Sequence, residues 1–142
     1  MISLLDANLL IALFDAAHLH HQRAHQWLTQ HRAQGWATCP LTQNACIRII
    51  SQPNYPNRLP IADISRRLAQ ATAAPDHHFW PDSISLCDTN IFDHSLMLTA
   101  RHLTDHYLLG LATSHQGRLV TFDRGIQLPP VPAAGPGNLV HL

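Results

Sequence analysis

The stretch Ile2-Ser3-Leu4-Leu5-Asp6-Ala7-Asn8-Leu9-Leu10-Ile11-Ala12-Leu13-Phe14 decides the fold class. Ile2 to Leu5 is an apolar run too short for a helix and placed where a buried strand begins a domain. Asp6 ends it. Leu9 to Ala16 is helical by composition, and Asn8 or Asp6 is suited to cap its start. A strand, a turn carrying an acid and a helix thus follow one another directly.

The alternation continues downstream. His20 to Gln34 carries Ala24, Trp27, Leu28 and His31 at helical spacing and stops at Gly35, and Trp36 to Cys39 is a second short strand. Thr42 caps a helix reaching Ser51, residues 52–59 form a Pro/Asn loop, and Pro60 opens a helix over 61–74. His77 to Asp82 reads as a connector, Ile84 to Leu86 as a strand and Ile91 to Ala100 as a short helix. Thr104 caps a regular helix from Asp105 to Gln116 that Gly117 stops. Arg118 to Phe122 is then a strand delivering Asp123 and Arg124 to a turn. Four prolines between Pro129 and Pro136 precede an edge strand, Leu139 to His141. No repeat or linker interrupts the pattern, so residues 1–142 read as one domain. Strands interleaved with helices predict parallel βαβ units and an α/β fold.

Composition narrows the chemistry. The chain has nine basic and nine acidic residues, all Arg and all Asp, and no Lys or Glu, so any carboxylate chemistry falls to aspartate. Net neutrality argues against one broad basic nucleic-acid face and moves any polyanion contact to a local Arg cluster. Cys39, Cys46 and Cys87 form no C-x-x-C pair and read as buried apolar fillers in a reducing compartment, the cytoplasm. No basic leader and no apolar run of about 18 residues points to export or to a membrane.

Asp6 follows the first strand and Asp123 the strand at 118–122, and in parallel sheets ligands gather at such carboxyl ends. Asp105 lies in the first turn of the helix leading into that last strand. Such helix starts are expected on the opposite edge, so Asp105 joins the others only if the preceding loop carries it back over the carboxyl ends. Three carboxylates brought together would repel by roughly 4 kcal/mol per pair at 4 Å and an effective dielectric of 20, and would call for a hard divalent cation. Mg²⁺ or Mn²⁺ fits oxygen ligands and phosphoryl chemistry. Each acid also has a plain role as a turn or helix-start residue.

Four segments, LLDANLLIALF (4–14), TCPLTQNACIRIIS (38–51), LTDHYLLGLA (103–112) and GRLVTFDRGI (117–126), together resemble the PIN-domain ribonucleases of the VapC toxin type. The resemblance spans nearly the whole chain in order. It implies a three-layer α/β/α fold with a mainly parallel central sheet and a Mg²⁺ or Mn²⁺ site of clustered acids. It also implies hydrolytic cleavage of single-stranded regions in structured RNA such as tRNA, a homodimer, and neutralisation by a VapB-type antitoxin. Asp6, Asp105 and Asp123 match the family's metal-binding acids, Asn8 the polar residue near the first, and Thr121 a residue able to hold a water. Gln43 stands where many PIN domains have Glu, which leaves three carboxylates and favours one tightly held metal. Asn8 and Gln43 are expected to position a water or a phosphate oxygen.

Arg48 and Arg124 are candidate phosphate contacts, or partners of a nearby Asp. Arg66-Arg67 reads as a solvated helix face. His21/His25 and His102/His106 have the i,i+4 spacing that can bind zinc, and His106, beside Asp105, is a candidate proton carrier. His78 to Pro81 is either a base-stacking patch or a structural plug. Two alternatives to a nuclease stay open: a catalytically inactive binding module, for which Gln43 is the motivating feature, and a His-based zinc protein.

Overall fold

The computed structural model describes residues 1–142. Its strands are β1 (Ser3–Leu5), β2 (Trp36–Thr38), β3 (His77–Phe79), β4 (Arg118–Thr121) and β5 (Leu139–His141), joined in one sheet of order β3-β2-β1-β4-β5. Every neighbouring pair is parallel. The helices are α1 (Ala7–Phe14), α2 (His21–His31), α3 (Pro40–Ile50), α4 (Ile61–Thr72) and α5 (Leu103–Ser114). None is long and apolar enough to cross a membrane.

Strand geometry divides the core. Successive residues of a strand point to opposite faces, so the paired Leu4 and Leu119 face one side, with Phe92, Tyr107, Leu108 and Leu111. Leu5 and Val120, paired one step on, face the other, with Leu9, Leu10, Cys46 and Ile64. Helices α1 to α4 cover this second face and α5 covers the first, giving the three-layer α/β/α arrangement. The central strand β1 is buried at all three positions, as a strand covered on both sides must be.

The sheet order places a topological switch point between β1 and β4. From β1 the chain steps outward to β2 and β3, then returns to the other side of β1 for β4 and β5. At such a point the loops leaving adjacent strands diverge and open a crevice at the carboxyl edge. Asp6 directly follows β1, and Asp123 comes two residues after β4.

Several expected elements shift. The third strand is His77–Phe79, not Ile84–Leu86: β3 pairs with β2 from Trp36↔His77 to Thr38↔Phe79, and backbone pairing at an edge needs no apolar pattern. Ile91 to Ala100 is not an α-helix. Asp88 and Asp93 accept from the N–H groups of Asn90 and Ser95, respectively, two residues on, closing turns that compete with a helix. Only short 3-10 turns form there, at His94–Leu96 and Ala100–His102. The last helix begins at Leu103, after His102, so Thr104 lies inside it. Cys39 and Cys46 are buried fillers as expected, but Cys87 is exposed in the irregular segment.

Candidate functional site

Asp105 sits on the same edge as the other two acids. Only residues 115–117 separate α5 from β4, so the helix runs antiparallel to the strand and its first turn lies over the carboxyl ends. The expectation of an opposite edge is therefore corrected: any helix that ends just before a strand must start at the far end of that strand. Gln116, at φ 55°, makes the reversal. Gly117 permits the close return, because a Cβ there would stand 2.6 Å from Trp80 and 2.7 Å from the Ile2 carbonyl.

Asp6 is almost fully buried. Its backbone carbonyl accepts from the N–H groups of Leu9 and Leu10 at the start of α1, leaving its side chain for another partner. The Thr121 hydroxyl donates to Asp6 Oδ2 at 2.7 Å. That hydroxyl also accepts from Asn8 Nδ2 at 3.1 Å and from the Asp123 N–H at 3.0 Å. With one donor and two acceptor sites in use and no exposure, Thr121 has no capacity to hold a water. It ties the first acid to the turn bearing the last. Asn8 completes the clamp, its Oδ1 accepting from the Phe122 N–H at 3.2 Å. It braces the two strand ends against each other.

Burial is the main reason the Asp6 carboxyl is pushed up to about 6, and the charges of Asp105 and Asp123 push the same way against the Thr121 and Ala7 hydrogen bonds. A buried carboxyl with two further carboxylates beside it marks a place where positive charge is wanted.

The tightest group of ligand atoms is not the expected trio. His102, Asp105 and Asp123 each offer an atom, and these lie within 4.8 Å of one another. His102 Nδ1 is 3.1 Å from Asp105 Oδ2 and 3.8 Å from Asp123 Oδ2. Asp6 stands outside this group and acts on it through its charge and through Thr121. Adjacent ligands of one octahedral ion at about 2.1 Å stand roughly 3 Å apart, so the donors are spaced as a small divalent cation requires. The turn that carries Asp123 is fitted to this arrangement. The Gly125 N–H donates to Asp123 Oδ1 at 2.7 Å, and a Cβ on Gly125 would meet the His102 ring at 2.8 Å. The donor set and this cradle fit a divalent cation.

Gln43 is oriented differently from expectation. Its Nε2 donates to Thr38 Oγ1 at 2.9 Å, and that hydroxyl pairs with His77 Nε2 at 2.8 Å, so the amide nitrogen is anchored at the end of β2. The Gln43 carbonyl oxygen remains for other contacts. Arg124 is exposed beside Asp123, whereas Arg48 lies in the last turn of α3, a helix that begins at the carboxyl edge and runs away from it. Neither pairs with an Asp. Arg66 is exposed and pairs with Asp63, as a solvated helix face does.

The zinc expectation is corrected. His21 Nδ1 and His25 Nε2 each bond a backbone carbonyl, of Ala12 at 2.7 Å and Leu13 at 3.0 Å, pinning α2 to the end of α1. His102 and His106 do not converge: His106 is buried, neither of its ring nitrogens has a hydrogen-bond partner, and burial pushes its imidazole below the usual range. It bonds no acid and lines, with His102, Thr99 and Gln127, a cavity of about 170 Å³. Trp80 is a plug, stacked on His115 at 4.3 Å. Sequence reasoning paired His102 with the wrong partner. The available signal was His-x-x-Asp, which sets His102 and Asp105 side by side across the helix start.

The PIN domain family matches residues 3–129. The chain belongs to that family. Among curated proteins, ribonuclease VapC44 of Mycobacterium tuberculosis is 44% identical over 142 residues, covering all of both chains. Ribonuclease VapC38 of the same organism is 41% identical over 87% of this chain and 86% of its own. The resemblance to the VapC type is thereby borne out. A crystal structure of VapBC2 from Rickettsia felis bound to a DNA fragment from its promoter aligns with 100% of this chain and 99% of the other at a TM-score of 0.63. At 12% identity that match shows the shared fold.

Proposed function

We propose that the chain is a divalent-cation-dependent endoribonuclease acting as a VapC-type toxin, with Mg²⁺ or Mn²⁺ held by Asp105 and Asp123 beside the buried Asp6. The observation that carries this reading is the convergence of acids at the switch point, where Asp105 and Asp123 lie in one tight group and Thr121 ties the buried Asp6 to the Asp123 turn. The full-length identity to VapC ribonucleases supports it. The substrate is RNA with exposed single-stranded stretches, such as tRNA. A VapB-type antitoxin is the partner, a homodimer the assembled form and the cytoplasm the compartment.

A bound divalent ion supplies Lewis acidity, lowering the pKa of water and stabilising charge on the phosphoryl group. The chain's residues do the rest. Thr121 fixes the rotamer of Asp6, Asn8 holds the ends of β1 and β4 together, and Gly125 orients Asp123. The Gln43 carbonyl oxygen, left without a partner when its Nε2 binds Thr38, is available to a water or a phosphate-bound group, and Arg124 offers a bidentate donor to an RNA phosphate. Arg48 is a contact for a longer RNA path along α3.

Asp6→Asn and Asp105→Asn test the reading. Each is expected to abolish cation-dependent cleavage of tRNA while leaving the thermal transition in place. Unchanged cleavage in both variants overturns the reading. Tight Mn²⁺ binding without turnover on any RNA favours the inactive binding module instead, in which the neutral Gln43 accounts for the lost chemistry.

A further inference from the structure

We propose that His102 is a nitrogen ligand of the cation site, and that this imidazole biases the site toward Mn²⁺ and later transition ions over Mg²⁺. The inference rests on the reading above that the acids hold a divalent ion, and it goes further by naming a ligand and a consequence for ion choice.

Three observations converge on the ring. Its Nδ1 stands within reach of both Asp105 Oδ2 and Asp123 Oδ2, at 3.1 and 3.8 Å, and so occupies a corner of the same coordination polyhedron. The ring is lodged against Gly125, where a Cβ would come within 2.8 Å of His102 Cε1 and 3.1 Å of Nε2, so this turn is shaped to admit an imidazole. His102 and Asp105 are each less than one-fifth exposed, which removes much of the water that would otherwise compete as ligand.

The chemistry follows from the donor. Carboxylate and water oxygens suit Mg²⁺ and Mn²⁺ alike, whereas imidazole nitrogen is a ligand for first-row transition ions, whose affinity rises from Mn²⁺ onward. Mg²⁺ gains little from nitrogen. With Gln43 in place of an acid, the site has three carboxylates. A neutral imidazole adds a ligand without adding negative charge that would repel an RNA phosphate. That same Nδ1 hydrogen-bonds to Asp105 Oδ2, which holds the ring beside the carboxylate that an ion would share with it.

The test is Mn²⁺ binding to the whole chain, followed by calorimetry and by pulsed electron paramagnetic resonance, with Mg²⁺ measured by competition. Wild type is expected to show nitrogen hyperfine coupling on bound Mn²⁺. His102→Ala should lose that coupling and weaken Mn²⁺ binding about tenfold or more, with Mg²⁺ affinity changed by less than about threefold. His102→Gln, which keeps a polar group beside Asp105, controls for folding and should also lack the coupling. Bound Mn²⁺ without nitrogen coupling in wild type overturns the proposal, as does coupling that survives in both variants. Absence of Mn²⁺ binding overturns it too. If nitrogen-coupled Mn²⁺ binds but no RNA is cut, the ligand assignment stands and the ribonuclease reading falls.

Discussion

The two faces of the sheet are covered in different ways. On one, α1 to α4 pack side by side, and burial is spread along helices: Leu9, Leu10, Ala24, Cys46, Ile50 and Ile64. On the other, a single helix, α5, shares the work with residues 80–102, which form only turns and place isolated anchors, Trp80 and Phe92, into the core. Burial spread over a helix leaves a periodic trace in sequence, whereas burial concentrated in single side chains between turns leaves none. Two of the three acids, Asp105 and Asp123, border the irregular face.

The largest test of this contrast is Phe92→Ala. Phe92 is 1% exposed and rests on Gly110, where a Cβ would lie 2.6 Å from its ring. Truncation should cost about 3–5 kcal/mol in urea unfolding, because Phe92 is held against the regular helix α5, which does not shift to close the gap. A loss under about 1 kcal/mol would mean that the irregular cover collapses freely and anchors little. Next comes Gly110→Ala, an overpacking change expected to cost about 1–3 kcal/mol despite the better helix propensity of alanine. Combined with Phe92→Leu it should cost less than the sum, and strict additivity would disconnect the two positions.

Smaller effects belong to the four-helix face. Asp15, at the end of α1, accepts from the Tyr55 hydroxyl, from Asn57 Nδ2 at 3.0 Å and from the Ala17 N–H at 3.0 Å. Burial raises its carboxyl, but those hydrogen bonds outweigh burial and the net shift is downward. A depressed carboxyl stabilises the fold above its unfolded pKa of about 3.9, and that stabilisation is lost as pH falls through the folded value. Tyr55→Phe should therefore cost about 1 kcal/mol at neutral pH and flatten the acid limb of a stability–pH curve, with an unchanged limb counting against the linkage. Smallest is Arg32→Ala, which removes the Asp76 pair; with Arg32 half exposed, thermal melts should register a loss below about 1 kcal/mol that shrinks further in salt.

The same contrast governs what could be read from sequence. Strands β1, β2 and β4 and helices α1 to α4 announce themselves through apolar runs and spacing, although Thr42, read as the cap of α3, lies inside a helix that starts at Pro40, and Asp6 precedes α1 without a side-chain cap bond; Asp6 and Asp123 follow from strand ends alone. The third strand, His-His-Phe, does not, because an edge strand needs only backbone partners. Ile84 and Leu86 mimic a strand, yet they pack against the core from a turn-rich segment. Thr121 reads as a water holder until its hydroxyl proves fully engaged, a property that appears only when residues 6–8 and 121–123 meet in the fold. His102 escaped because a four-residue spacing to His106 is visible in sequence, while its approach to Asp123 exists only after folding.

The pairing of β1 with β4 bears on how the molecule is made. Thr121 and Asp6 are 115 residues apart, and β1 has β4 as a central neighbour. Contacts of such separation bear a large loop-closure entropy before they return any stability, so they form late. A partly synthesised chain holds Asp6 without Thr121, Asp105 or Asp123 beside it, and any nascent fragment that stops short of β4 lacks the acid centre. The centre therefore exists only once β4 has paired with β1, because its acids come from both ends of the chain.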